Sequence, residues 1–217
     1  FANRGEEWVI GDTVNASIGQ GFVLSSPLQL AVMTARLATG RTIMPRMVKS
    51  VDGVEQPIEN GPDMGLNPVH LQWIRKAMYD VNNGRRGTAR ASRIMTEEHK
   101  WAGKTGTSQV RNITPAERAR GVFRNADLPW NRRDHALYVG FAPFNAPKYA
   151  ISVVVEHGGG GSSAAAPVAR DIMLQALHGG LPPLDAYPPD QRREIEEMQN
   201  ALPLRPPGPI PSGRTRA

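Results

Sequence analysis

The sequence predicts a mixed α/β (α+β) domain, an antiparallel sheet flanked by helices, and three observations predict it. The runs HALYVGFA (135–142) and YAISVVVEH (149–157) are rich in β-branched and aromatic residues, and PFNAPK between them, with two prolines and an asparagine, signals a hairpin. A third extended stretch, KTGTSQV (104–110), precedes that pair. Segments with helical apolar spacing and capping signals lie on both sides of the three strands.

In chain order, SSPLQLAVMTARLA carries Ser26 as N-cap, Pro27 at the first helical position, and Leu28, Ala31, Val32 and Ala35 at helical spacing. Leu30, Met33 and Leu37 fill its other faces, which predicts a helix buried on most sides. Before it, in SIGQGFVL, Gly19 and Gly21 flank Gln20 and open backbone conformations that side chains close. A second helix is signalled by LNPVHLQWIRKAMYDVNNG: Asn67 caps it, Pro68 opens it, Leu71, Ile74 and Met78 share a face, and Gly84 stops it. His70 and Trp73 sit on or beside that helix, with a surface or cap role for the histidine. RRGTARASR (85–93) follows as a basic, glycine-containing turn.

In KTGTSQV the two-residue period of a strand directs Thr105 and Thr107 to one face, and the segment belongs toward one edge of the sheet. After the hairpin, a glycine run (158–161) leads into APVARDIMLQALHGG, a helix placing Ala169, Ile172, Met173, Ala176 and Leu177 against the sheet and ending at His178 and Gly179. That run lacks the GK[ST] ending of a phosphate loop. Beyond Leu181 the chain turns proline-rich. PPDQRREIEEMQNAL reads as a short amphipathic helix through Ile195, Met198 and Leu202, and RPPGPIPSGRTRA as a disordered tail.

With 217 residues, 40% of them apolar, the chain can bury a substantial core. It has no apolar run of about twenty residues to span a bilayer, and FANRGEEWVI has neither a basic nor an apolar signal region. Cysteine is absent, so disulfides and thiolate metal sites are excluded. His70, His99, His135, His157 and His178 are dispersed, so neither a metal nor another cofactor is expected. The net charge of +6 raises nucleic acid as a partner. Its densest group, Arg111, Arg118, Arg120, Arg124, Arg132 and Arg133 with Phe123 and Trp130, is interrupted by Glu117 and Asp127, and no nucleic-acid motif accompanies it. A solvated arginine-rich loop and no nucleic acid is the reading.

The chemistry concentrates at KTGT. Lys104 supplies a positive charge, Thr105 and Thr107 two hydroxyl donors, and Gly106 a gap for close approach: a set suited to a carboxylate. On an edge strand the free N–H groups also suit an extended peptide or an oxyanion. The plain alternative is an ordinary strand with surface threonines and a snorkelling lysine.

K-T-G is the third element of the signature shared by penicillin-binding proteins and serine β-lactamases. Around it, GDTVNASIGQGFVLSSPLQLAVMTARLATG, WAGKTGTSQV, DHALYVGFAP, YAISVVVEHGGGG and APVARDIMLQAL resemble the later part of the transpeptidase domain of class B penicillin-binding proteins, from about Gly11 to about Leu177, and within that family the branch serving rod-shaped elongation. The resemblance implies a penicillin-binding transpeptidase fold and a serine-type D,D-transpeptidase. It would cross-link peptidoglycan stem peptides by acyl transfer from D-alanyl-D-alanine, and β-lactam antibiotics would target it. It implies that Lys104 orients the serine hydroxyl of the second motif, that Thr105 and Thr107 hold the terminal carboxylate, that the Thr107 N–H is one arm of the oxyanion hole, and that Gly106 lets substrate lie flat.

The signature's other elements do not occur here. The residues three before each lysine are Arg46, Trp73, Glu97, Trp101 and Asn145, so there is no S-x-x-K, and no serine stands two before an asparagine. Ser108 alternates away from Thr107 and is a poor nucleophile. The expectation is therefore that residues 1–180 form the C-terminal portion of a transpeptidase domain, followed by a proline-rich tail over 181–217. The serine and lysine would come from an N-terminal part of the same protein. The alternative is a non-catalytic peptide-binding or scaffolding fragment of the same fold. By the same resemblance, the partners are the stem peptide or its lipid-linked precursor, a polytopic glycosyltransferase and a rod-shape scaffold, and the place is the periplasmic face of the inner membrane, with an anchor helix upstream.

Overall fold

The computed structural model describes residues 5, 7–58, 60–111, 115–121 and 124–202, without the side chain of Arg118. Phe123 and the expected tail RPPGPIPSGRTRA lie outside them. In chain order the elements are α1 (Ile10–Ser17), α2 (Pro27–Thr39), the short hairpin β1 (Ser50–Val51) and β2 (Val54–Glu55), α3 (Pro68–Asn83), β3 (Ala102–Ser108), α4 (Pro115–Arg120), β4 (His135–Ala142), β5 (Tyr149–Val155), α5 (Ala166–His178) and α6 (Arg192–Ala201). The main sheet is antiparallel in the order β3-β4-β5, so β3 is its edge among the described residues.

Alternation along β4 divides the core in two. Ala136, Tyr138 and Ala142 face a cluster with Trp101, with Ala169, Met173 and Leu174 of α5, and with Tyr187 and Ile195. Phe141 faces the other way, joining Ala102, Ala38 of α2 and Met78 of α3. Arg170, almost fully buried, donates to Gln191 Oε1 at 2.6 Å, and Gln191 Nε2 donates to Ala91 O at 2.7 Å. These bonds, with Ile195 in the core, dock the segment carrying α6 onto the domain, while Met198 and Leu202 stay exposed.

Both expected caps form. Ser26 Oγ accepts from the Gln29 N–H at 3.2 Å while Gln29 Oε1 accepts from the Ser26 N–H at 2.8 Å, a closed capping box, and Gly40 ends α2 at φ 70°. Asn67 Oδ1 accepts from the Val69 N–H at 2.9 Å, and the Gly84 N–H closes α3 on Asp80 O at 2.9 Å.

Three face assignments need correction. Helix α2 is not buried on most sides: only its Thr34 and Ala38 stripe is fully covered, and Leu28 and Met33 are 62% and 42% exposed. They line an apolar groove of about 450 Å³ with Val32, Met44, Pro45 and Met64. On α3 the inward row runs Leu71, Arg75, Met78, Asn82 instead of through Ile74, which is exposed. Arg75 takes the inner place because its guanidinium lies over the Phe141 and Phe144 rings and donates to Phe144 O at 2.8 Å, so a cation fills an apolar slot through ring and carbonyl contacts. On α5 the buried residues are Ala166, Ala169, Arg170, Met173 and Leu174, while Ile172 and Ala176 point outward. Of the five residues expected inward, Ala169 and Met173 are buried and Leu177 packs against the core, so only Ile172 and Ala176 are displaced, in favour of Arg170 and Leu174.

Candidate active site

Strand β3 carries the site. Its register sets Lys104 opposite Val139, Thr105 opposite Tyr138, Gly106 opposite Leu137 and Thr107 opposite Ala136. The two threonines therefore share one face, and Lys104 and Gly106 the other. In an antiparallel pair a residue turns its N–H and its C=O to the same side. Two contacts show which side: Thr107 O accepts from Gln20 Nε2 at 3.2 Å, and Thr105 O accepts from Lys104 Nζ at 2.5 Å. Neither donor lies on β4. Thr105 and Thr107 thus direct their backbone polar groups to the open edge, and Gly106 between them pairs inward with Leu137. Lys104 starts on the opposite face from the threonines and folds its ammonium over that same edge.

The strand is supported from below. Gly161 opens the turn Gly161–Ala165 that leads into α5, and a Cβ at that glycine would lie 2.3 Å from Leu137 O and 2.4 Å from Gly106 O. Only a glycine lets the turn sit directly on the backbone between the two threonines. Tyr138, behind Thr105, is fully buried. Asn82 Nδ2 donates to its hydroxyl at 2.8 Å, and the hydroxyl donates to Asn82 Oδ1 at 3.0 Å. Burial pushes the Tyr138 phenol well above its ordinary pKa. Gly103 makes room for that phenol, since a Cβ there would lie 2.1 Å from its oxygen.

Facing the edge is the loop with Gly19 and Gly21, both at positive φ, 76° and 72°, which presents Gln20 to Thr107. A second approach comes from the turn after α3, where Thr88 Oγ1 lies 3.0 Å from Thr105 Oγ1. Together these segments line a groove of about 880 Å³ whose walls include Gln20, Leu30, Met33, Thr88, Lys104 and Thr107. The groove is open, has apolar ground, and has one ammonium and several hydroxyls converging on a strand edge. It can hold an extended peptide with an anionic end, and it can place N–H donors beside a carbonyl carbon. Ser108 lies on the far face from Thr107, with His135 as its register partner.

The arginine-rich loop is knitted to itself. Glu117 accepts from Arg111 at 2.9 Å and from Arg132 at 3.5 Å, Arg124 pairs with Asp127 at 3.1 Å, and Arg133 donates to Leu128 O at 3.0 Å. Among the described residues no group of three His, Cys, Asp or Glu side chains could hold a metal ion, and no described helix is long and apolar enough to cross a membrane. Lys104, Thr105, Gly106 and Thr107, expected from the sequence as one group, lie together on the edge strand, and beside them the structure sets Thr88, Tyr138, Asn82 and Gly161, which the sequence did not single out. Of these only Thr88 had a local signal, a Gly-Thr step just past a helix stop.

A family model described as the penicillin binding protein transpeptidase domain matches residues 2–174. The peptidoglycan D,D-transpeptidase MrdA of Haemophilus influenzae is 35% identical over 204 residues, covering 90% of this chain and 30% of that protein. MrdA of Acinetobacter baumannii is 39% identical over 161 residues, 71% of this chain and 23% of that protein. The solved structure of Pseudomonas aeruginosa PBP2 in complex with WCK 5153 superposes with a TM-score of 0.62 at 38% identity, over 83% of this chain and 36% of that one. The complex of PBP2 and MreC from Helicobacter pylori gives a TM-score of 0.63 at 32% identity, over 82% and 29%. The chain thus spans less than a third of the length of these two curated relatives. Its sheet, its helices and its K-T-G edge strand agree with that match, and the chain belongs to the penicillin-binding protein transpeptidase family.

Proposed function

We propose that this chain forms the K-T-G wall of a serine-type peptidoglycan D,D-transpeptidase of cell-wall elongation. The observation that carries the reading is the open edge of β3, where the Lys104 ammonium, the Thr105 and Thr107 hydroxyls and the outward Thr107 backbone converge on one groove. A D-alanyl-D-alanine terminus fits such an edge: its carboxylate meets the two hydroxyls, its backbone runs along the strand over Gly106, and the penultimate carbonyl oxygen meets the Thr107 N–H. A serine supplied by another part of the same protein attacks that carbonyl, D-alanine leaves, and the acyl group passes to the amine of a neighbouring stem. Lys104 holds the positive potential that orients that machinery. A β-lactam carboxylate occupies the same place. Acyl-enzyme complexes with imipenem and penicillin G are solved for the Mycobacterium tuberculosis penicillin-binding protein A, and this supports the β-lactam part of the reading. The MreC complex supports a rod-shape scaffold as partner, and the name of MrdA supports peptidoglycan D,D-transpeptidase work; the periplasmic face of the inner membrane and a polytopic glycosyltransferase beside it complete the proposal.

Labelling of the full-length protein by a fluorescent penicillin tests this. The wild type acquires one acyl adduct, and Lys104→Ala slows labelling by about 10²–10³-fold, as removal of a transition-state electrostatic partner does. Equal labelling of the two proteins overturns the role of Lys104. A wild type that takes no label places the protein with the non-catalytic scaffolding reading.

A further inference from the structure

We infer that Thr88 is a positioning residue for the carboxylate-binding hydroxyl of Thr105, an inference that rests on the transpeptidase reading of the groove. The two hydroxyl oxygens are 3.0 Å apart. Each hydroxyl has a single proton, so one donates and the other accepts. When Thr105 gives its proton to a carboxylate, the proton between the two threonines must come from Thr88. Thr88 then fills an acceptor position on the Thr105 oxygen and leaves the Thr105 proton to be aimed into the groove. A carboxylate, which only accepts, selects this polarity; a neutral ester carbonyl in its place gains less from it.

The placement of Thr88 is built into the fold. Gly84 ends α3, and the chain folds back at Gly87, where a Cβ would lie 2.3 Å from Val81 O and 2.4 Å from Asp80 O. Only glycine permits that reversal against the helix end. The next residues lock it: the Ala89 N–H donates to Val81 O at 3.0 Å, the Arg90 N–H to Gly87 O at 3.2 Å, and Ala89 is buried. Thr88, between the close-packed glycine and the buried alanine, is set against β3 and lines the same groove as Lys104 and Thr107. Helix α3 itself is anchored beneath by the Asn82–Tyr138 bonds, and Tyr138 is the register partner of Thr105. One rigid path therefore fixes both hydroxyls.

The test uses the full-length protein as wild type, Thr88→Val and Thr88→Ser, each confirmed folded by its melting curve. Second-order acylation rates are measured with benzylpenicillin and with its methyl ester. The expected result is a loss on the order of tenfold for the acid in Thr88→Val, recovery in Thr88→Ser, and a smaller effect on the ester. Equal rates in wild type and Thr88→Val, or an equal loss for acid and ester, overturn the positioning role while leaving the transpeptidase reading intact. Failure of Thr88→Ser to recover also overturns it. A wild type acylated by neither compound overturns the transpeptidase reading and this inference with it.

Discussion

Replacing Tyr138 by phenylalanine probes how the site strand is held. The phenol and Asn82 are both fully buried, and each supplies the hydrogen bonds recorded for the other's side chain, at 2.8 and 3.0 Å. Tyr138→Phe keeps the ring against Trp101, whose centroid lies 4.9 Å away, and removes only the oxygen. The buried carboxamide then loses its partner, which costs about 1–3 kcal/mol. For a domain of this size that lowers the melting temperature by roughly 2–4 °C per kcal/mol. Adding Asn82→Leu removes the stranded polar group, so the double variant is more stable than Tyr138→Phe alone. The pair also sets an alkaline limit. Burial raises the folded-state pKa of Tyr138 well above 10.0, whereas an unfolded chain gives up that proton near pH 10. Above pH 10 the unfolded state binds fewer protons, so this group makes stability fall with rising pH, by about 1.4 kcal/mol per unit until the folded pKa is reached. Calorimetry of wild type, single and double variants from pH 7 to 11 checks both parts. A Tyr138→Phe protein within 1 °C of wild type at pH 7, or one that loses stability above pH 10 as steeply as wild type, refutes the reasoning.

Two further substitutions have defined outcomes. Gly161→Ala drives a methyl group into Leu137 O and Gly106 O; overpacking of this kind costs about 1–3 kcal/mol, and the strand shifts between the two threonines, so penicillin acylation falls more than the melting temperature alone accounts for. Ser26→Ala opens the capping box of α2 and costs about 1 kcal/mol, seen as a lower melting temperature with acylation unchanged at 25 °C.

Much of this structure is written locally. Ser26-Pro27, Asn67-Pro68 and the hairpin PFNAPK each fix an element through backbone chemistry that needs no distant partner, and those elements form as the sequence predicts. The hairpin of β1 and β2 is equally legible in principle: Asp52-Gly53, both at positive φ, is a strong two-residue turn signal. Helix faces were less legible. Apolar periodicity names candidate inward residues but not which stripe meets a neighbour, and on α3 the decision fell to Arg75, whose charge satisfies a distant carbonyl at Phe144. The support of the site was not legible at all. Asn82 and Tyr138, or Gly161 and Gly106, are separated by tens of residues, and only the three-dimensional register makes them one unit.

That unit explains why an edge strand, ordinarily the most easily deformed part of a sheet, can serve as the fixed wall of a groove. An edge residue has pairing on one side only, and its exposed side exchanges with water. Here β3 is restrained by β4 on its paired side, by the glycine-seated turn beneath Gly106, by Gln20 on Thr107 O and by Thr88 on the Thr105 hydroxyl. The groups proposed to meet a carboxylate or an oxyanion are therefore held in position before anything binds, and in a preorganised site that spares reorganisation when charge develops. The restraint at Thr107 O differs from the others in kind. It comes from a side chain on a loop with positive-φ glycines at both ends, and its carboxamide N–H donates to the same carbonyl that the backbone N–H of an incoming peptide strand would use. A carbonyl oxygen accepts at two lone pairs, so an incoming N–H shares or displaces the Gln20 contact, whereas the contacts beneath Gly106 and behind Thr105 have no reason to move.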